Sequence, residues 1–133
     1  MRNTAFDGTD DIMDSHDIIE RIEELDALLE NMEDPELSDE DRNEAADEFD
    51  RDEYDALKAL ADEGGRDIPD WEYGATFISE SYFTEYCMET LADIGYIPRD
   101  IPGWIVIDEE ATAENMKVDY TEFEYMGTTY YAR

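Results

Sequence analysis

Positive charge is what this sequence has least of. Nine Lys plus Arg stand against 40 Asp plus Glu in 133 residues, for a formal net charge of −31. Only Lys58 and Lys117 are lysines. A chain this poor in bases has no patch to neutralise phosphates, which excludes direct binding to nucleic acid or to anionic lipid. Cysteine is nearly absent: Cys87 stands alone, so no internal disulfide can form and nothing points to an oxidising compartment. No apolar run approaches the roughly 18 residues of a membrane span. The opening, Met1 to Asp7, lacks the apolar stretch of a signal peptide. The expectation is a soluble protein of the cytoplasm, in a bacterial host cell.

What is present is a core's worth of apolar material. The chain is 41% hydrophobic and contains 9 Tyr, 5 Phe and 2 Trp, more than a disordered acidic tail carries. Its length suits one domain, with room for an appendage. Self-repulsion on this scale opposes compaction, so a protein that keeps it gains something from its field. The charge is graded along the chain: residues 1–70 hold 27 acids and 6 bases, residues 71–133 hold 13 and 3. Aromatics run the other way, with only Phe6, Phe49 and Tyr54 before Trp71.

Periodicity gives the elements. Residues 1–13 read as a flexible tail. Asp14 or Ser15 caps a helix over about 16–33, whose seam is Ile18, Ile22, Leu25, Leu29 and Met32. Pro35 stops it. Ser38, with Asp41 three positions on, starts a second helix over about 39–63 that Gly64-Gly65 end. Its narrower apolar side is Ala45, Ala46, Phe49, Ala56, Leu57 and Leu60. The short link between the two favours an antiparallel helical hairpin over 14–65. Beyond a linker, residues 71–133 read as a second unit. It contains a short strand at 73–78 and a helix from Ser79 to Ile94 with inner stripe Phe83, Cys87, Leu91 and Ile94. Gly95 is the stop of that helix. A short helix over 107–117 and a β-hairpin, 120–125 and 128–132 around Met126-Gly127, complete it. The fold class is α+β: an acidic helical hairpin, then a small domain of two helices and a C-terminal β-hairpin.

Catalytic chemistry finds no support. His16, the only histidine, has no second His or neighbouring Cys and reads as an ordinary helix-end residue. Cys87 lies on a buried stripe, where a thiol behaves as a small hydrophobe. Paired-acid hydrolysis needs one carboxyl raised in an apolar pocket, and the acids fall on exposed helix faces. Asp39-x-Asp41-x-Asn43 starts like a calcium loop, but Glu44 replaces the required Gly and Asp50 the closing Glu. There is no glycine-rich phosphate loop. No catalytic, cofactor or metal residues are assigned.

The acids themselves form a pattern. The two front helices carry nets of −6 and −9 over roughly 27 and 37 Å. Side by side they approach one charge per about 2 Å, close to the roughly 1.7 Å of duplex DNA. Such crowding opposes each helix by about 0.2–0.5 kcal/mol per like pair at i, i+4. A groove lined with Lys and Arg for phosphates would accept carboxylates at this spacing.

Residues from about Trp71 to Arg133 resemble the C-terminal part of the ArdA antirestriction family. The carrying residues are Ser81-Tyr82-Phe83-Thr84-Glu85-Tyr86, Asp93-Ile94-Gly95 with Ile97-Pro98, Ile107-Asp108, Ala113, Asp119-Tyr120 and Gly127-Thr128-Thr129-Tyr130-Tyr131. The segment from Asp11 to Leu25 also looks like the opening of short phage and bacterial proteins that carry this back half. The resemblance implies a mobile-element protein that mimics DNA, is typically dimeric and blocks multisubunit restriction enzymes. Acidic phage proteins that block CRISPR effector complexes leave the target class open. The chain departs from the family in lacking its N-terminal region, where the charged hairpin stands instead.

The expected function is therefore a DNA-mimic inhibitor of a host defence complex, with a DNA-binding protein or nuclease as partner and a homodimer as its own state. Asp17, Glu20, Glu24, Glu44, Asp47, Glu48, Asp52 and Asp55 are the expected contact residues. Two other readings fit the sequence: an adaptor that pairs through the seam of helix 16–33, and an acidic domain adapted to concentrated salt.

Overall fold

The computed structural model of the chain describes residues 5–98 and 100–133. Its fold is α+β. A four-stranded antiparallel sheet, in the order β1-β2-β4-β3, carries helices on both faces. The strands are β1 (Ile12–Asp14), β2 (Thr76–Ser79), β3 (Thr121–Tyr125) and β4 (Thr128–Ala132). Helices α1 (Ser15–Glu33), α2 (Asp39–Glu48) and α3 (Arg51–Asp67) precede β2; α4 (Glu80–Asp93) and α5 (Glu109–Met116) lie between β2 and β3.

The side-chain alternation of the strands decides which helices lie where. Phe77 of β2, Phe123 and Tyr125 of β3, and Tyr130 and Ala132 of β4 point to one face, where they share a core with Ile18 and Leu25 of α1 and Leu57 and Leu60 of α3. Ile78 and Tyr131, their immediate neighbours in sequence, point to the other and meet Phe83 and Cys87 of α4 and Ala113 of α5. The Phe83 ring stands edge-on to Tyr120, with centroids 5.1 Å apart, a geometry aromatic quadrupoles favour. The front helices and the C-terminal hairpin thus bury each other. The expected division into a hairpin over 14–65 and a separate unit over 71–133 gives way to one shared core, because neither the apolar stripe of α1 nor one face of the sheet is covered without the other.

The C-terminal hairpin matches its expectation. Met126 and Gly127 both take positive φ, 48° and 81°, the two-residue turn whose twist suits paired strands. The seam on which the adaptor reading rests is partly used inside the fold, since Ile18 and Leu25 are fully buried and Ile22 packs on the same cluster, while Leu29 and Met32 are half-buried. The flexible-tail reading of 1–13 is corrected for residues 5–13, Met1 to Thr4 lying outside the described residues. Phe6 is buried in the main core and its carbonyl accepts from Tyr125 Oη at 2.8 Å. Met13 pairs with Phe77 across β1–β2. Two isolated apolar residues give no local periodicity, so only the tertiary fold reveals them. Ile94, expected on the inner stripe of α4, is exposed, because α4 ends before it and Gly95 turns the chain away at φ 84°.

The second front helix is also corrected. It is two helices, α2 and α3, broken at Phe49-Asp50, where the Asp50 side chain accepts from Glu53 N and caps a fresh start. Nor do Gly64-Gly65 end it: α3 continues to Asp67. Gly64 is there for space. A Cβ at that position would lie 2.6 Å from Trp71 Cε3, whereas one at Gly65 would lie 3.7 Å from Trp71 Cδ1. Opposite signs are expected from one substitution at neighbouring positions. Gly64→Ala should cost about 1–3 kcal/mol by forcing the indole out of place, and Gly65→Ala should gain about 0.5–1 kcal/mol as an exposed helix position. Urea unfolding of both variants checks this.

Candidate functional site

The outward surface of the front layer is built by helices whose inward stripes are fixed by the core. Together α1, α2 and α3 carry 19 acids and five bases. Two of these charges never reach the surface. Arg21 and Glu53 are buried against each other, with Arg21 Nε to Glu53 Oε2 and Arg21 Nη2 to Glu53 Oε1 both at 2.9 Å. Glu53 Oε2 also accepts from the backbone N–H of Phe6 at 2.9 Å, so one carboxylate ties α1, α3 and the N-terminal segment together. The Glu53 hydrogen bonds and charge raise the Arg21 pKa above its ordinary range, against an opposing push from burial. Sequence reasoning missed this pair, although a signal existed. Arg21 lies three residues after Ile18 and four before Leu25, and Glu53 four before Leu57, so both occupy apolar stripes.

With its only base turned inward, α1 carries seven carboxylates over about 28 Å, six of them outside the Arg21 pairing that Glu24 shares, and α2 adds a net −5 over about 15 Å. Those two helices pack together, and Arg42 of α2 donates from Nη1 to the Asp34 carbonyl at the end of α1 at 3.0 Å. Counting the six and the five, charge density is roughly one per 2.6 Å along α1. α3 is sparser, with Arg51, Lys58 and Arg66 offsetting half of its acids. The acidic surface is therefore concentrated on α1–α2 and on the turn into α3, instead of running evenly along two long helices.

The eight expected contact residues divide accordingly. Glu44, Asp47, Glu48, Asp52 and Asp55 are exposed. Asp47, Glu48 and Asp52, with Asp50 and Arg51, rim an open cleft of about 460 Å³ at the α2–α3 break, which Arg21 and Glu53 floor. Glu48 also joins Glu44 and Asp41 on a neighbouring hollow between α1 and α2. Asp17 and Glu20 are half-buried on the first turns of α1, some way along the layer. Glu24 departs from expectation: its Oε1 is 3.2 Å from Arg21 Nη1 and its Oε2 is shielded from solvent without a hydrogen-bond partner. It supports the buried arginine more than it addresses a partner.

Other chemistry is sparse. His16 Nδ1 stands 3.7 Å from Glu20 Oε1. With Asp17 the two bring possible ligand atoms within 4.8 Å of one another, the one such group among the described residues. His16 is exposed and the two acids are half-buried, and the contact is an ordinary i, i+4 neighbourhood on one helix. Cys87 is buried, and that burial pushes its thiol above the ordinary 9.0, which keeps the nucleophilic thiolate scarce at neutral pH. No helix among the described residues is long and apolar enough to cross a membrane. Compared with protein-family models, with curated proteins and with solved structures, the chain finds no match in any of the three.

Proposed function

We propose that this chain is a protein decoy for DNA that occupies the DNA-binding groove of a host defence complex, a restriction enzyme or a CRISPR effector, and so blocks it. The observation that carries the reading is the α1–α2 surface, where carboxylates at a density near that of duplex phosphates are held on helices anchored by a common core. Burial of Arg21 sharpens it, since that base is turned inward to Glu53 of α3 and takes up only Glu24 on α1. The likeness of residues 71–133 to the C-terminal part of ArdA points the same way, toward a mobile-element protein that evades host defence. A basic cleft would be met quickly, because opposite fields steer association, and the encounter would weaken as salt screens them.

The test is competition. The immobilised chain is used to capture protein from a host lysate, and duplex DNA is then added in excess. Release of the captured complex by duplex, together with a steep loss of binding between about 50 and 200 mM salt, is the expected result. Retention of the partner in the presence of saturating duplex would sink the proposal.

A further inference from the structure

The acidic layer is not polar throughout. The hollow between α1 and α2 measures about 280 Å³ and has an apolar floor of Leu28, Leu37 and Ala45. Leu28 and Leu37 are half-buried, so each still meets solvent, and buried Ala45 offers only a methyl group. The rim is Asp41, Glu44 and Glu48, spaced i, i+3 and i+7 and so aligned on one stripe of α2. None of these three carboxylates makes a hydrogen bond or ion pair among the described residues. Arg42, the only base of α2, is held outside the hollow by the Asp34 carbonyl and by Asp39.

We infer that this hollow is an arginine slot. It takes one arginine side chain of a protein partner, with the aliphatic stem against the two leucines and the guanidinium among the three carboxylates. The identity of that partner as a basic DNA-binding groove rests on the decoy reading; the preference for arginine does not. Size, floor and rim select the occupant together. At 280 Å³ the hollow falls below the roughly 300–1,000 Å³ of small-molecule sites, and suits one side chain. A hard metal ion takes oxygen ligands on every side and gains nothing from leucine. The ammonium of lysine is compact and strongly hydrated, so bringing it to an apolar floor strips water that is not replaced. A guanidinium is planar and weakly hydrated, and its fork of N–H donors matches paired carboxylate oxygens. A stem laid on apolar surface with the charge at the edge is how arginine ordinarily sits. The floor also separates this surface from a row of phosphates. Charge neutralisation supplies the affinity of a basic groove for DNA, whereas here the same arginine buries its stem as well, and that part of the binding is not screened by salt.

Fluorescence anisotropy of labelled hexa-arginine and hexa-lysine, equal in charge, against the full chain at about 150 and about 500 mM salt reads the outcome. Hexa-arginine should bind at least about 10-fold tighter, the worth of one hydrogen bond to a charged group, and the ratio should survive the higher salt. Asn31→Arg places a guanidinium at the edge of the hollow and should fill it, abolishing the preference. Asn43→Arg makes the same change in charge at an exposed position of α2 outside the hollow and should leave the preference intact. Leu37→Ser, which alters no charge and lies outside the main core, should reduce it. Asn31 and Asn43 are both exposed, so neither arginine variant disturbs packing. Equal affinity for the two peptides would overturn the inference, as would a preference that outlasts Asn31→Arg, and either result leaves the decoy reading to its own duplex competition. An arginine preference beside a lysate partner that duplex does not release would instead keep the slot and remove the decoy.

Discussion

Replacing Arg21 with Met should lower stability by about 3–5 kcal/mol, a fall in thermal midpoint on the order of 10–20 °C for a chain of this size. The reason is asymmetry. The Arg21 and Glu53 side chains are 9% and 1% exposed and make two hydrogen bonds at 2.9 Å. Removing the cation leaves Glu53 as a buried charge held, among the described residues, by the Phe6 N–H alone. Glu53→Gln should cost less, since its amide oxygen can still accept from Phe6. The double variant Arg21→Met, Glu53→Leu should recover part of the loss but stop short of wild type. No buried charge remains in it, yet the Phe6 N–H has lost its bond to Glu53, worth about 0.5–1.5 kcal/mol. The exposed pair Arg66–Asp67, 3.5 Å apart, is the contrast: Arg66→Met should stay within about 0.5 kcal/mol. Urea denaturation at neutral pH measures all four. An Arg21→Met cost below about 1 kcal/mol would show that the pair is not what holds the N-terminal segment and α3 to α1.

What the sequence makes legible follows from where its signals are rare. The bounds of α1 stand out because Pro35 and a regular apolar seam are unusual in this chain. The C-terminal hairpin stands out because Thr, Tyr and Phe alternate there around a glycine. The break at Asp50 does not. An acid three residues before Glu53 is a capping pattern, and the structure uses it, but in a chain with 40 acids such a pattern recurs by chance almost everywhere. The strand at Ile12–Asp14 and the burial of Phe6 are invisible for a different reason. Their partners lie about 65 and 120 residues away, and no local period encodes a contact at that range. At the candidate site, the acidity of the front half is plain from composition. Which carboxylates face outward depends on α1 and α3 sharing one face of the sheet, and that placement withdraws Glu53 entirely and Glu24 in part.

Neutralising seven of the eight expected contact residues together, by Asn at Asp17, Asp47, Asp52 and Asp55 and by Gln at Glu20, Glu44 and Glu48, with Glu24 kept because it pairs with buried Arg21, should slow association with a basic groove on the order of 10²–10³-fold. The same substitutions should flatten its salt dependence. The fold should survive, and this makes the experiment decisive. None of the seven is a helix cap: the caps of α1, α2 and α3 are Asp14, Ser38 and Asp50. Like pairs such as Glu20/Glu24 and Glu44/Glu48 each oppose their helix by about 0.2–0.5 kcal/mol, so their loss stabilises. Asp17 and Asp52 favour their helix starts by about 0.3–1 kcal/mol each, so their loss offsets part of that gain. The net change in stability is small, and a loss of binding cannot then be attributed to unfolding. A passive acidic coat would give another result. Binding, if present at all, would persist after neutralisation and keep its original salt dependence. Restoring only Glu44, Asp47, Glu48 and Asp52 then locates the contact. If the rim of the α2–α3 cleft meets the groove, these four should return most of the lost rate, whereas restoring only Asp17 and Glu20 should return little.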